Sequence, residues 1–219
     1  MSKKAHPYGF RLGIIKDWKS RWFNLRQYRH LLRTDVLLRE WLEKKLRGMY
    51  VESIEIERPS GVLTIIIKTS RPGLLIGRKG EGSEKLREEI KKQIAKIEGA
   101  PPKELKLNIE EVRPAESHAK IVAHMVAENL EKRLPFKRVM KQALEKVMAS
   151  KDVQGAKIML SGRLGGAEMS RREYVKRGRL PLQTLRADID FARERAHLPY
   201  GDIGIKVWIY RGERLPEKS

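Results

Sequence analysis

The sequence predicts an α+β protein built from two folded parts in succession. Apolar residues recur with helical spacing in some segments and alternate in the manner of strands in others, and the spacing switches several times along the chain. An Arg113-Pro114 step separates two different orders of these segments. The length of 219 residues, of which 40% are hydrophobic, suits one to two domains that bury cores.

Residues 1–33 are predicted to form a basic, irregular arm. They combine Pro7, glycines and aromatic residues with many cations, and they show no sustained periodicity. A segment of this composition can fold on a partner, and a partly ordered tail is the simpler interpretation.

A domain is predicted for residues 34–113, and its first helix is expected to begin at Thr34, a residue type that caps helix N-termini. Gly48 ends the helical pattern. The apolar residues that define the pattern are Leu38, Trp41, Leu42 and Leu46.

A hairpin, two helices and a third strand are predicted to complete this domain. Strand alternation at 54–57 and a β-branched stretch at 62–69 flank the turn Pro59-Ser60-Gly61. A short apolar turn of helix precedes a longer amphipathic helix at 86–97, and apolar alternation at 105–109 predicts the last strand. The domain is therefore expected to be a three-stranded sheet with helices.

A second domain, residues 114–211, is predicted to pack two helices on a sheet of roughly four strands, followed by a tail at 212–219. Pro135 separates two segments that each have an apolar helical face. From Gly155 onward the apolar spacing changes to two, in the segments 157–161, 169–175, 187–191 and 203–209.

The amino-acid composition restricts the classes of function that this chain can have. The chain carries 48 lysines and arginines against 28 aspartates and glutamates, which gives a net charge of +20. Because the cations are dispersed along the chain, we expect the partner to be a polyanion that touches many faces of the protein.

The absence of cysteine excludes disulfides, cysteine zinc sites and a cysteine nucleophile, and it indicates a reducing compartment. No apolar stretch approaches the ~18 residues of a membrane span, so we expect a soluble, cytoplasmic protein without membrane contacts.

The most informative motif is Gly77-Arg78-Lys79-Gly80, which lies between two predicted helices. Glycines let a sugar-phosphate backbone approach closely, and the N–H groups at the start of the next helix favour anions. Alone, such a motif is usually a turn, but within this order of elements it matches the RNA-binding KH arrangement of the second type. A nucleotide-binding loop is excluded, because Gly82 is followed by Ser83 and Glu84 rather than by lysine.

Two cationic groups are further candidates for contacts with phosphates. Lys137, Arg138 and Lys141 share one exposed side of a predicted helix, and Lys132 and Arg133 precede them; a solvated helix face is the plain alternative. The second group lies between 163 and 179 and contains a candidate stacking ring, Tyr174. Its cations are Arg163, Arg171, Arg172, Lys176, Arg177 and Arg179.

Asp188 and Asp190 offer a different function, because two carboxylates on one strand can support a metal-dependent nuclease. Ion pairs with arginines such as Arg186 or Arg193 are the favoured interpretation. A free-standing KH regulator of messenger translation is a third hypothesis. No catalytic site, metal site or cofactor is predicted.

Ordered motifs also run through nearly the whole chain. They include Lys4-Ala5-His6-Pro7, Gly9-Phe10-Arg11-Leu12-Gly13, Trp18 with Trp22, Arg71-Pro72-Gly73, the GxxG motif, 161–168 (SGRLGGAE), 178–182 (GRLPL), 185–190 (LRADID) and Tyr200-Gly201 followed by 204–209 (GIKVWI). With these motifs the chain closely resembles the bacterial family of the third protein of the small ribosomal subunit.

The resemblance implies a structural protein, not an enzyme, in the head of the small subunit. There it would bind ribosomal RNA, touch the tenth and fourteenth proteins with the second nearby, and line the entrance of the messenger RNA channel with the fourth and fifth. Lys137, Arg138 and Lys141 would face messenger and help to unwind its structure. The residues expected to contact RNA are Lys3, Lys4, His6, Arg11, Gly77, Arg78, Lys79, Gly80, Lys132, Arg133, Lys137, Arg138, Lys141, Arg163, Arg171, Arg172 and Arg179.

Overall fold

The computed structural model describes residues 5–59, 62–99, 102 and 104–214. Lys3, Lys4, the turn residues Ser60-Gly61 and most of the predicted tail lie outside the described residues. The described chain divides into a KH unit, residues 18–112, and a C-terminal unit, which combines residues 5–17 with 113–214. The predicted arm is thus split, because its last residues belong to the KH unit and its first to the C-terminal unit.

The α+β class is confirmed, and the predicted order of elements holds from residue 34 onward, whereas the arm predicted to be irregular contains a short helix and a two-residue strand. Short 3-10 turns occur at Arg78–Gly80, Ala115–Ser117 and Leu164–Gly166. In chain order, the helices and strands are α1 (Pro7–Phe10), β1 (Ser20–Arg21), α2 (Tyr28–Lys45), β2 (Val51–Glu57), β3 (Val62–Thr69), α3 (Pro72–Ile76), α4 (Glu81–Glu98), β4 (Glu104–Glu111), α5 (Ala119–Glu131), α6 (Phe136–Ala149), β5 (Gly155–Gly162), β6 (Arg171–Gly178), β7 (Ala187–Leu198) and β8 (Gly201–Glu213). No helix among the described residues is long and apolar enough to cross a membrane.

The KH unit is a sheet in the order β1-β2-β3-β4, and its core lies between the sheet and helices α2 and α4. The hairpin β2-β3 is antiparallel, and β4 runs parallel to β3 at an edge of the sheet. The two-residue β1 adds a fourth, parallel strand that the sequence pattern does not reveal. Ion pairs from Arg21 to Glu55 and Glu57, at 2.7 and 2.6 Å, accompany this pairing.

Helix α2 begins at Tyr28, six residues before the predicted cap, so the predicted start is wrong. Thr34 lies inside the helix, where its buried hydroxyl donates a hydrogen bond to the carbonyl of His30 at 3.2 Å. Threonine can form this bond within a helix as well as cap one. The leucines and arginines before Thr34 are good helix formers, which lets the helix extend toward its N-terminus.

The C-terminal unit is an antiparallel sheet in the order β6-β5-β8-β7, with α5 and α6 packed on one face. Every second residue of β5 and β8 enters the core with the apolar sides of the two helices. Leu160, Ile205 and Val207 are at most 1% exposed within it. The residues between them point to the opposite face of the sheet.

Arg11 belongs to the interior of the C-terminal unit, which removes it from the predicted RNA contacts. Its side chain is 0% exposed, and its guanidinium donates hydrogen bonds to the carbonyls of Pro7, Leu182, Thr184 and Ala187 at 2.7–3.0 Å. Desolvation lowers the pKa of Arg11, and the nearby Asp188 carboxylate opposes that effect. Arg11 therefore fixes the arm to the sheet and is unavailable to RNA.

Candidate nucleic-acid interface

The GxxG motif forms the connection between α3 and α4 as predicted. Gly77 and Gly80 have φ values of +70° and +88°, a region that glycine enters without steric penalty. Lys79 between them also has a positive φ of 52°, and the side chains of Arg78 and Lys79 are exposed. The loop thus presents two cations beside backbone that a phosphate can approach closely.

Gly82 is a structural requirement of this loop that the sequence analysis missed. A Cβ at Gly82 would lie 2.6 Å from the carbonyl oxygen of Leu75, and one at Gly77 would lie 3.1 Å from the nitrogen of Gly82. The absence of both side chains lets the end of α3 pack against the start of α4. A glycine in the second position of a long helix is the signal that could have revealed this contact.

A cleft of about 310 Å³ lies next to the loop, between α4 and the edge strand β4. Ser83 lines the cleft, and its hydroxyl donates a hydrogen bond to the carbonyl of Gly80 at 2.7 Å, which connects the cleft to the loop. Leu74 and Ile76 expose 56% and 39% of their surface beside the motif. A cleft of this size, with apolar and polar walls, can take up unpaired bases while the loop holds the backbone.

Helix α6 separates its apolar and basic residues completely. Val139, Met140, Leu144 and Val147 are at most 5% exposed in the core, whereas the basic triad Lys137, Arg138 and Lys141 is exposed. Within the described part of the chain, no carboxylate pairs with the triad. Because the buried apolar stripe fixes the orientation of the helix, its backbone keeps these three cations on the exposed side.

The cations just before α6 are exposed as well. Arg133 lies in the connection between α5 and α6 with a φ of 59°. Lys132 forms an ion pair with Glu128 at 2.6 Å, which neutralises part of its charge. Arg133 therefore contributes more positive charge to the surface next to α6 than Lys132 does.

The group between 163 and 179 does not form one surface, because strand alternation distributes β6 over both faces of the sheet. The guanidinium of Arg171 lies 5.6 Å from the centre of the Phe136 ring, on the side of α6. Arg172 and Tyr174 point to the other face. Arg179 is exposed in the segment after β6.

Arg163 is half-buried and connects two loops. Its Nε donates to the carbonyl of Ala167 at 2.9 Å, and its Nη1 donates to that of Tyr200 at 3.2 Å. These bonds give Arg163 a positioning role within the protein. His6 is exposed in the arm, with its ring edge against Phe191 at 4.9 Å between centroids.

Asp188 and Asp190 have separate structural partners. Asp188 is 1% exposed, and its oxygens form ion pairs with Lys16 at 2.8 Å and Arg214 at 3.2 Å, although neither contact has hydrogen-bond geometry. Burial by itself would raise the pKa of Asp188, but Lys16 and the charges of Arg214 and Arg211 hold that pKa below its ordinary value.

Asp190 accepts hydrogen bonds from the backbone N–H of Ala119 at 2.8 Å and from Arg211 at 3.3 Å. Ion pairing of both carboxylates is thus observed, but the partners differ from those expected. Arg186 pairs with Glu213, and Arg193 lies over the ring of Phe191. These contacts account for the two aspartates without a nuclease.

Two family models match the chain. The model described as KH domain matches residues 37–117, and the model described as Ribosomal protein S3, C-terminal domain, matches residues 126–209. These matches fall on the KH unit and on the C-terminal unit, respectively, apart from the last few residues of the first.

Bacterial proteins named small ribosomal subunit protein uS3 are similar over nearly the full length. The protein of Caldicellulosiruptor saccharolyticus is 48% identical over 220 residues, covering 100% of this chain and 96% of the relative. That of Legionella pneumophila is 47% identical over 219 residues, covering 100% and 97%. That of Shewanella amazonensis is 48% identical over 216 residues, covering 98% and 90%.

Proposed function

Because this chain belongs to the ribosomal protein uS3 family, a family of structural proteins and not of enzymes, we propose where in the small subunit it acts. It lies in the head, binds the RNA of that subunit, and lines the entrance of the messenger channel. The observation that carries the messenger role is the basic triad of α6, three exposed cations on a helix whose other side is committed to the core.

The triad supports a role in separating messenger structure. Phosphates of an RNA strand are attracted by exposed cations, and the buried side of α6 already orders the backbone that carries these cations, so binding does not have to order it. Fixed cations can hold the strands of an opened hairpin apart. Movement of messenger through the ribosome supplies the work, so the protein needs no nucleotide-binding loop, in agreement with the sequence after Gly82.

Ribosomal RNA is the proposed partner of the GxxG motif and of the other cations predicted to contact RNA. Arg78 and Lys79 are placed to contact phosphates, while Gly77 and Gly80 let the backbone approach. His6, Lys132, Arg133, Arg171, Arg172 and Arg179 extend the proposed contacts to other faces, with Lys3 and Lys4 outside the described residues. Arg11 is omitted because it is buried, and Arg163 contributes through the loops that it connects.

Family membership also supports the proposed neighbours. We infer contacts with the tenth and fourteenth proteins of the head, proximity to the second, and a channel entrance shared with the fourth and fifth. The protein accordingly works on the ribosome, in the cytoplasm.

Salt dependence and assembly test the RNA-binding function together. We expect binding to purified small-subunit ribosomal RNA to weaken steeply with salt, because each neutralised phosphate releases counterions. We also expect the protein to sediment together with small subunits. Recovery of the protein only in the free pool of growing cells, with salt-independent RNA binding, would contradict the proposal.

A further inference from the structure

The face of the C-terminal sheet opposite α5 and α6 carries a set of residues of which only Arg172 belongs to the RNA contacts proposed above. The strand register places twelve residues of this face in three rows across β6, β5, β8 and β7. We call this set the sheet grid. Its rows are Lys176-Lys157-Trp208-Phe191, Tyr174-Met159-Lys206-Arg193 and Arg172-Ser161-Gly204-Arg195.

The charges of the sheet grid have one sign. Six of its twelve residues are cationic, three are aromatic, and none is acidic. Lys157 is directly opposite Lys176, and Lys206 is directly opposite Arg193. Like charges opposite one another destabilise a sheet, so the Lys206–Arg193 pair carries repulsion that a bound polyanion would relieve.

Aromatic rings lie among these cations. The Nζ of Lys157 is 4.3 Å from the centre of the Tyr174 ring and 5.4 Å from that of Trp208, and the Tyr174 residue is 63% exposed. The guanidinium of Arg193 lies 5.3 Å from the centre of the Phe191 ring. Phe191 packs against Trp208 and against His6 of the arm, so Tyr174 is the most exposed of the three rings. An exposed ring among cations suits single-stranded RNA, because a base can stack on the ring while the phosphates meet the charges.

The third row has its smallest residues at its centre. Ser161 and Gly204 are directly opposite each other there, and the Ser161 hydroxyl oxygen lies 3.0 Å from the position that a Cβ at Gly204 would take. Arg172 and Arg195 stand at its two ends. The row is thus low in the middle and charged at both sides.

We propose that the sheet grid is an RNA-binding surface that holds the phosphates of an unpaired RNA segment among its cations and stacks a base on Tyr174. The inference rests on the RNA-binding function proposed above. Because α6 packs on the other face of the same sheet, the grid and the basic triad can hold two different RNA segments at once.

The test compares two charge-matched variants of the full chain. Arg172→Gln, Arg193→Gln and Lys206→Gln together neutralise three cations of the grid, and Lys91→Gln, Lys92→Gln and Lys96→Gln neutralise three exposed lysines of α4 as the control. Binding to single-stranded oligouridine and to small-subunit ribosomal RNA is measured over a range of salt. The grid variant is expected to reduce the slope of log affinity against log salt for oligouridine by about 2, since each lost phosphate contact contributes roughly 0.7.

Two single variants separate binding from folding. Tyr174→Leu is expected to weaken oligouridine binding about tenfold, because it removes a stacking ring. Lys206→Gln is expected to raise the urea midpoint of unfolding while it weakens binding, because it removes the repulsion with Arg193. A lowered midpoint with unchanged RNA affinity would show a structural role for Lys206 and overturn the inference.

The remaining outcomes distinguish the inference from the function on which it rests. If the grid variant binds both RNAs like the wild type while neutralising the α6 triad weakens binding, the grid is not an RNA surface and the RNA-binding function stands. If the grid variant binds RNA normally but no longer joins small subunits, the grid docks a protein and the inference is also overturned. If the wild type binds neither RNA, both fail.

Discussion

The N-terminal arm and helix α6 carry similar cations in opposite environments. Arg11 and Lys16 turn into the C-terminal unit. There Arg11 donates hydrogen bonds to backbone carbonyls, and Lys16 forms an ion pair with Asp188. Lys137 and Arg138 project from a helix whose apolar side is buried, and no described carboxylate neutralises them. Positive charge in this chain is therefore available to a partner only where the fold leaves that charge exposed.

The largest effect on stability is expected from Arg11→Ala, which tests whether the buried cations of the arm support the fold. The variant leaves the carbonyls of Pro7, Leu182, Thr184 and Ala187 without their donor and opens a cavity. We expect a loss of about 4 kcal/mol in the stability of the C-terminal unit, measured by urea unfolding.

Arg11→Lys provides the control for that prediction. Lysine keeps the charge but cannot reproduce the planar set of donors that a guanidinium offers, so this variant should also be destabilised. Full stability of the lysine variant, combined with weakened RNA binding, would return Arg11 to the RNA contacts and remove the contrast with α6.

The second prediction concerns Asp188, whose folded-state pKa is lowered by Lys16 and the neighbouring arginines. Its ion pairs contribute stability that is fully present above the unfolded pKa of ~3.9, and that is lost as the pH falls through the folded value. Asp188→Asn should cost about 2 kcal/mol at pH 7.

The measurement is the stability of the C-terminal unit at a series of pH values. The difference between wild type and Asp188→Asn should shrink as the medium becomes more acidic. A difference that stays constant down to pH 2 would show that charge is not what attaches Lys16 to Asp188.

A substitution of Arg163, which is neither fully buried nor fully exposed, should have an intermediate effect on stability. It donates to the carbonyls of Ala167 and Tyr200 while remaining half-buried, so Arg163→Gln is expected to lower stability by about 1 kcal/mol. RNA affinity should fall only as far as the two loops move. An unchanged urea midpoint with a large loss of RNA affinity would instead make Arg163 a direct contact.

The smallest effect on stability is expected from Lys137→Ala, Arg138→Ala and Lys141→Ala together. All three side chains are exposed, and alanine is the best helix former, so the urea midpoint should not fall measurably. A marked loss of stability would show that the triad supports the fold rather than a partner.

The order of elements could be predicted because apolar spacing is a local property of the chain. The stripe of Val139, Met140, Leu144 and Val147 specifies both the α6 helix and its exposed side. The GxxG motif could be placed for the same reason, since it falls between two such patterns. Alternation in β5 and β8 predicts the second sheet equally well.

The features that escaped prediction depend on contacts between distant residues. The acceptors of Arg11 at 182–187 lie more than 170 residues away in the chain, so nothing near Arg11 distinguishes it from an RNA-binding arginine. β1 pairs with β2, and its Arg21 meets Glu55 and Glu57, which are remote in sequence. The sheet grid emerges only when the register aligns four strands.

The most direct test of the contrast between the arm and α6 is translation through a stable messenger hairpin by ribosomes that carry the α6 triple variant. The control variant replaces Lys91, Lys92 and Lys96 with alanine, which removes the same charge from another exposed helix face. We predict that both variants assemble into small subunits and that only the α6 variant slows on the hairpin, with normal speed on unstructured messenger. Equal speeds for wild type and both variants on the hairpin would contradict the account.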